Sequence, residues 1–418
     1  MLKKSILNGV VYPNDWSIVN LGKTINIFRG GSPRPIQSYL TSSSNGINWI
    51  KIGDVNKGSK YIERTEEKIV SEAVSRSRRV YAGDFILSNS MSFGRPYILN
   101  IDGCIHDGWL VLQNYSKSFN KDYLYYALGS DVVISQYISK AAGSSVLNLN
   151  KDIVASVNLP CPQIKEQELI SKALSDIDNL IISLNMLIEK KKAIKQGTMQ
   201  ELVTGKKRLD GSEEKWNNIQ LKELCYIITK QTGFDYTSHI KPSLEKEKKE
   251  NNIPFIQNKD FNGKNINYNT DFYIPIEVAS KFSDIILNEK CLLVSISGCI
   301  GNVGMYSSDK LAFIGGAVGI AKFKDKKYIE WVMLYLLSKE GQKQIIRNEK
   351  AGAQHNITVE DIRKLNIPFP NIEEQNKICS LIFNMDSEIK SLERKLFKYR
   401  QIKQGMMQEL LTGRIRLI

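Results

Sequence analysis

At 418 residues the chain exceeds what one ordinary hydrophobic core fills, so two or more domains are expected. Its 58 basic against 44 acidic side chains give a net charge of +14, which favours a polyanionic partner through counterion release and long-range steering. The longest apolar run, LAFIGGAVGIA at 311–321, is too short to span a bilayer, and the opening MLKKSILNGVVYP, broken by Asn8, Gly9 and Pro13, does not read as a secretory signal.

Taken in chain order, the first segment, 14–158, opens with Trp16 and continues in short β-branched and aromatic runs bounded by Gly, Asn, Asp and Ser. That composition predicts a strand-rich mixed domain. Prolines at 160 and 162 then bar any helix arriving from upstream, and none follows until well past Gly205. Between them Ile170, Ala173, Ile177, Leu180, Leu184, Leu187 and Ile194 mark one seam in steps of three and four with a gap at Lys191, the spacing of coiled-coil packing. A polar linker with two glycines, TGKKRLDGSEEKW at 204–216, leads into a second strand-rich segment, 214–366, which opens on Trp216. A second helix follows Pro368 and Pro370, with the seam Ile378, Ile382, Met385, Ile389, Leu392, Leu396, Tyr399 and Ile402.

The two halves repeat each other. IKQGTMQELVTG at 194–205 returns as IKQGMMQELLTG at 402–413, and at the same offset LPCPQIKEQELI (159–170) pairs with IPFPNIEEQNKI (367–378). KKRL at 206–209 pairs with RIRL at 414–417. Within the strand-rich segments only landmarks survive: WIKIGDV at Trp49 with FIQNKDF at Phe255, and FILSNSMSFG at Phe85 with LLVSISGCIG at Leu292, aligning Ser88 with Ser295 and Gly94 with Gly301. The helices stay alike while the heads diverge, as expected if common rods hold two heads that recognise different things. The expected architecture is α+β: two similar mixed, strand-rich domains separated by two long helices in a tandem repeat with pseudo-twofold character. Its boundaries fall at 1–158, 159–205, 206–366 (linker included) and 367–418.

Signs of catalysis are missing. There is no Asn/Asp-Pro-Pro-Tyr/Phe tetrad of a DNA methyltransferase. GCIGNVG at 298–304 lacks the strand–glycine–helix context of a nucleotide fingerprint, and SIVNLGKT at 17–24 has Ser17 where a phosphate loop needs glycine. The run Glu213, Glu214, Lys215 reads as a solvated turn. Six cysteines without a Cys-x-x-Cys pair and three scattered histidines predict free thiols in a reducing cytoplasm, no metal site and no cofactor.

The chain resembles the specificity subunit of Type I restriction–modification systems. The resemblance rests on the Trp16 to Gly22 opening, on P-x-P-x-I-x-E-Q at the start of each rod (160–167 and 368–375) and on QGMMQELLTGRIRL at 404–417. It implies two target-recognition domains on antiparallel helices. It also implies a non-catalytic role beside two adenine-methyltransferase subunits and, for cleavage, restriction subunits. Each head would read half of a split double-stranded DNA target in the major groove, with the rods setting the spacer. A protein-binding scaffold and a self-contained methyltransferase are the alternatives.

Contacts to phosphate need cationic or hydroxyl donors, and base edges favour Arg, Lys, Asn, Gln, Ser and Thr on protruding loops. The first-head candidates are Ser32 and Arg34, then Arg76, Arg78 and Arg79, then Asn89, Ser90, Ser92 and Arg95. In the second head they are Lys230, Gln231, Thr232, Ser295 and Ser297, with loops at 141–146 and 351–356 as further possibilities.

Overall fold

The computed structural model describes residues 5–55, 58–89, 94–141, 149–209, 214–347 and 356–418. The chain forms two compact units, Met1–Met186 with Arg394–Ile418, and Leu187–Glu393. Each unit therefore contains one head and a portion of each long helix. Those helices are Ile164–Val203, 40 residues, and Ile372–Leu410, 39 residues. No helix among the described residues is long and apolar enough to cross a membrane.

In the first unit one sheet has the strand order Asn26–Arg29, Trp109–Gln113, Phe85–Ser88, Pro96–Leu99, Tyr61–Ile62. Its central strands bury both faces, and the period of two sorts their side chains. Phe85, Leu87, Leu110 and Leu112 pack with Tyr123, Leu124 and Tyr126 of the helix Lys121–Leu128, while Ile86, Trp109 and Val111 pack with Ile50, Val80 and Ile105 on the other side. Ile50, Val80 and Ile105 belong to a second sheet, ordered Leu40–Thr41, Glu67–Ile69, Ile47–Ile50, Gly103–Ile105, Arg78–Val80.

The second unit repeats the plan. Its main sheet runs Cys225–Lys230, Val318–Phe323, Cys291–Ser295, Val303–Tyr306. Leu292, Val294 and Ala321 face one core; Leu293, Val318 and Ile320 face the other. The divergent landmarks occupy matching places. Gly94 N–H donates to the Ser88 carbonyl at 3.0 Å and Gly301 N–H to that of Ser295 at 3.3 Å, both glycines with positive φ. Asp54 accepts from Lys51 N–H (2.6 Å) as Asp260 does from Gln257 N–H (2.8 Å).

The long helices begin and end alike. Gln167 donates to the Pro162 carbonyl (2.9 Å) and Gln375 to that of Pro370 (2.8 Å), tying down the proline-bearing approach. At the far ends Thr204 and Thr412 donate to the Gln200 and Gln408 carbonyls, and Gly205 (φ +69°) and Gly413 (φ +68°) take the left-handed turn that ends a helix. Within the first unit Lys403 meets Asp178 at 2.6 Å and Arg400 meets Asn185 at 3.3 Å. Within the second, Lys195 meets Asp386 at 2.6 Å and Lys191 meets Glu388 at 2.8 Å.

The seam differs from the spacing expectation at several positions. Leu180, Leu187, Ile194 and Ile402 remain 37–45% exposed, whereas Leu174 and Ile188, outside the expected seam, are buried. A helix with 3.6 residues per turn drifts relative to a 3.5-residue seam, and the heads, not only the partner helix, decide which face is covered.

Candidate nucleic-acid interface

Each head is locked to its helices by a buried carboxylate. In the first unit Glu166, 4% exposed, accepts from Arg416 Nε and Nη2 at 2.5 and 2.8 Å and from the Trp16 indole N–H at 2.9 Å. In the second, Glu374, 1% exposed, accepts from Arg208 Nε and Nη2, both at 2.8 Å, and from Trp216 at 2.9 Å. The bidentate fork and the indole saturate a charge that would be costly if left alone. With the heads held this way, their loops project from defined strand ends.

The first-head loop leaves the strand Asn26–Arg29 at Gly30, where a Cβ would sit 2.1 Å from the His106 carbonyl oxygen. Gly31 N–H then donates to the Ile105 carbonyl at 3.1 Å. The next residue, Ser32, donates to Asp107 Oδ1 at 2.9 Å, and the Asp107 turn gathers further groups. Its carbonyl accepts from Asn89 (3.1 Å) and Arg29 (3.3 Å), and Arg34, 84% exposed at its side chain, lies 3.8 Å from Oδ2. Arg78 Nε donates to the Arg29 carbonyl at 3.4 Å with its guanidinium 4.9 Å from the Phe28 ring. Lys151 approaches the same ring at 6.0 Å. The Ser32 hydrogen bond, aided by His106 and Arg29 and opposed by burial, holds the Asp107 carboxyl below its ordinary value, so it is an ionised acceptor. Ser32, Arg34, Arg78 and Asn89 thus converge with Arg29 and Asp107. Asn89 is 6% exposed and works as a brace.

The side chains of the remaining first-head candidates have other partners. Arg76 donates to the Tyr39 hydroxyl at 2.5 Å and lies over its ring. Arg79, next to Arg78 on the strand Arg78–Val80, points to the opposite face, toward the Tyr81 ring. Arg95 lies over Tyr97 at 5.5 Å. Ser90 and Ser92, and the loops 142–148 and 348–355, lie outside the described residues.

The second-head loop leaves its matching strand at Lys230, which is exposed. Gln231 is 3% exposed and its amide donates to the Ile314 carbonyl, taking the place of Gly31 N–H on Ile105 in the first head. Thr232 is exposed and caps the turn after it, accepting from Asp235 N–H at 3.1 Å. Ser295 is fully buried, its hydroxyl donating to the Cys299 carbonyl and accepting from Asn302 N–H at 2.8 Å. Ser297 is half-buried; it bridges to Asn356, and its carbonyl accepts from the Asn258 amide. Asp107 was not singled out from the sequence: His-Asp-Gly reads as a turn, and its partners Ser32 and Arg29 are distant along the chain.

Comparison with known proteins follows the same division. The family described as Type I restriction modification DNA specificity domain matches twice, at residues 13–196 and 213–398. The specificity subunit of the Type I restriction enzyme MjaVIII of Methanocaldococcus jannaschii is 24% identical, over 98% of this chain and 95% of its own length. That of EcoBI of Escherichia coli is 22% identical over 98% and 88%. Among solved structures, a chain from work on complex assembly and conformational transition of the type I R-M system aligns with a TM-score of 0.64 at 17% identity, covering 97% of this chain and 99% of that one. The HsdS subunit from Thermoanaerobacter tengcongensis aligns with a TM-score of 0.53, covering 97% and 98%. The chain belongs to the Type I restriction modification DNA specificity domain family and carries that domain twice.

Proposed function

We propose that this chain is the subunit that gives a Type I restriction–modification complex its DNA target, one head reading each half of a split sequence. It acts as a specificity subunit and not as an enzyme; adenine methylation and ATP-dependent cleavage belong to two methyltransferase subunits and to restriction subunits. The long helices, paired antiparallel as a coiled coil, set the spacer. In this reading 1–158 and 206–366 are the recognition segments and 159–205 and 367–418 the spacers.

The observation that carries the reading is the contrast between the two loop surfaces. Both loops leave matching strands and cap matching carbonyls, Ile105 and Ile314, yet one displays Arg29, Ser32 and Arg34 beside Asp107 and the other Lys230 and Thr232. A common frame bearing different donors and acceptors is what two half-sites require. The contact set narrows to the exposed groups, with Ser295 and Gln231 shaping the loops. Apolar side chains left open on the helices, Leu180 and Ile194 among them, offer seats for the partner subunits.

The test is methylome sequencing of cells expressing the chain with its cognate methyltransferase subunit, alongside a chimera in which 1–158 comes from another family member. A split modified motif that needs this chain, and loses only one half in the chimera, is the expected result. A stable complex without any new motif would favour the scaffold alternative.

A further inference from the structure

We infer that Phe234 is a specificity-determining residue of the second head, reading the 5-methyl group of a thymine in its half-site. The inference rests on the DNA-recognition reading above. Phe234 is 74% exposed, the largest exposure of any aromatic side chain among the described residues. It sits four residues beyond Lys230, on the loop whose first-head counterpart carries Ser32 and Arg34.

The side chain is displayed on a braced turn, not on a slack loop. Asp235 N–H and Tyr236 N–H donate to the Thr232 hydroxyl and carbonyl, both at 3.1 Å, and the Thr237 hydroxyl donates to the Gly233 carbonyl at 2.8 Å. Ile240, fully buried, pins the far end of the turn in the head's core. A row of rings supports the tip from behind. Phe234 meets His239 edge-on at 6.0 Å, His239 meets Phe282 at 6.3 Å, and Phe282 meets the buried Phe313 at 6.3 Å. An aromatic group fixed in this way loses little freedom when it is covered.

The surroundings select the occupant. Lys230 and Lys241 are exposed at the two ends of the turn, and the single acid between 230 and 241, Asp235, is occupied by the Thr232 hydroxyl. A cationic rim around an apolar tip suits a duplex, whose phosphates meet the rim while the apolar feature of a major-groove edge, the thymine methyl, meets the tip.

The experiment uses the full chain assembled with its methyltransferase subunits. The half-site unchanged by the 1–158 exchange is assigned to the second head. Each thymine in that half-site, on either strand, is then replaced by deoxyuridine, and affinity is read by fluorescence anisotropy for the wild type, F234A and F234L. The wild-type complex should lose about fourfold at one thymine, the factor for one methyl group removed from an apolar contact. F234A should bind the thymine duplex more weakly and be indifferent to that replacement, while F234L keeps part of the sensitivity. Equal sensitivity in wild type and F234A, or a half-site without thymine, overturns the assignment. So does a folded F234A chain that no longer assembles with methyltransferase, which would make Phe234 a protein contact. If the wild-type complex modifies no motif, the recognition reading itself has failed, and this inference falls with it.

Discussion

Arg416, close to the end of the chain, closes a two-pronged ion pair on Glu166, 250 residues earlier, at the start of the first long helix. The tail after the second helix therefore secures the first head, as Arg208, after the first helix, secures the second head through Glu374. R416A strands a carboxylate that is 4% exposed and should cost about 3 kcal/mol, the range for breaking a buried pair from one side. A chain stopped after Gly413 should lose as much, and R416K, which cannot fork, should recover only part. Thermal unfolding measures all three; an unchanged midpoint in R416A would remove the lock from the account.

The glycines ending the two helices should respond unequally to alanine. Both have left-handed φ, so each substitution carries about 1 kcal/mol of backbone strain. At Gly413 the new Cβ would also lie 2.5 Å from Pro13 Cγ, whereas at Gly205 its nearest neighbour is the Trp216 ring at 3.3 Å. G413A should therefore melt well below G205A, and equal midpoints would contradict the packing at Pro13.

Asp386 predicts an acid-labile contribution. Burial works to raise its pKa, but hydrogen bonds from Lys195 and Lys264 outweigh it and leave the group below its ordinary 3.8. A carboxyl with a lower pKa folded than unfolded stabilises fully above the unfolded value, and the contribution is lost as pH falls through the folded value. Urea midpoints measured downward from about pH 5 should fall less steeply for D386N than for wild type. Parallel curves would refute the linkage.

Salt dependence separates the arginines. R34A and R78A should each lower the slope of log affinity against log salt by about one unit if they neutralise phosphates, whereas R79A, on the opposite face of its strand, should leave it unchanged. Anisotropy titrations of the methyltransferase complex across a salt series decide this. Equal slopes for all three variants would place the DNA elsewhere.

Ser295 should behave as a structural residue. Its hydroxyl serves both the Cys299 carbonyl and Asn302 N–H in a fully buried position, so S295A should cost about 1–2 kcal/mol while the modified motif stays the same. A changed motif at unchanged stability would restore it to the reading surface.

The sequence by itself determined the repeat, the family resemblance, the starts and ends of both long helices and the strand-rich character of the heads. These follow local rules: proline at 160 and 368 stops a helix from running on through it, glycine at 205 and 413 permits a left-handed turn, and alternation sorts Phe85 and Leu87 from Ile86. Tertiary structure alone decided what those rules leave open. Which of Arg78 and Arg79 joins the Asp107 group depends on the facing sheet. Ser295 looks like any loop serine until the Cys299 turn folds over it, and Leu180 and Ile194 keep the seam's spacing while remaining uncovered. The physical reason is the same each time: burial and pairing are properties of neighbours brought together by the fold, and groups such as Glu166 and Arg416 are far apart along the chain.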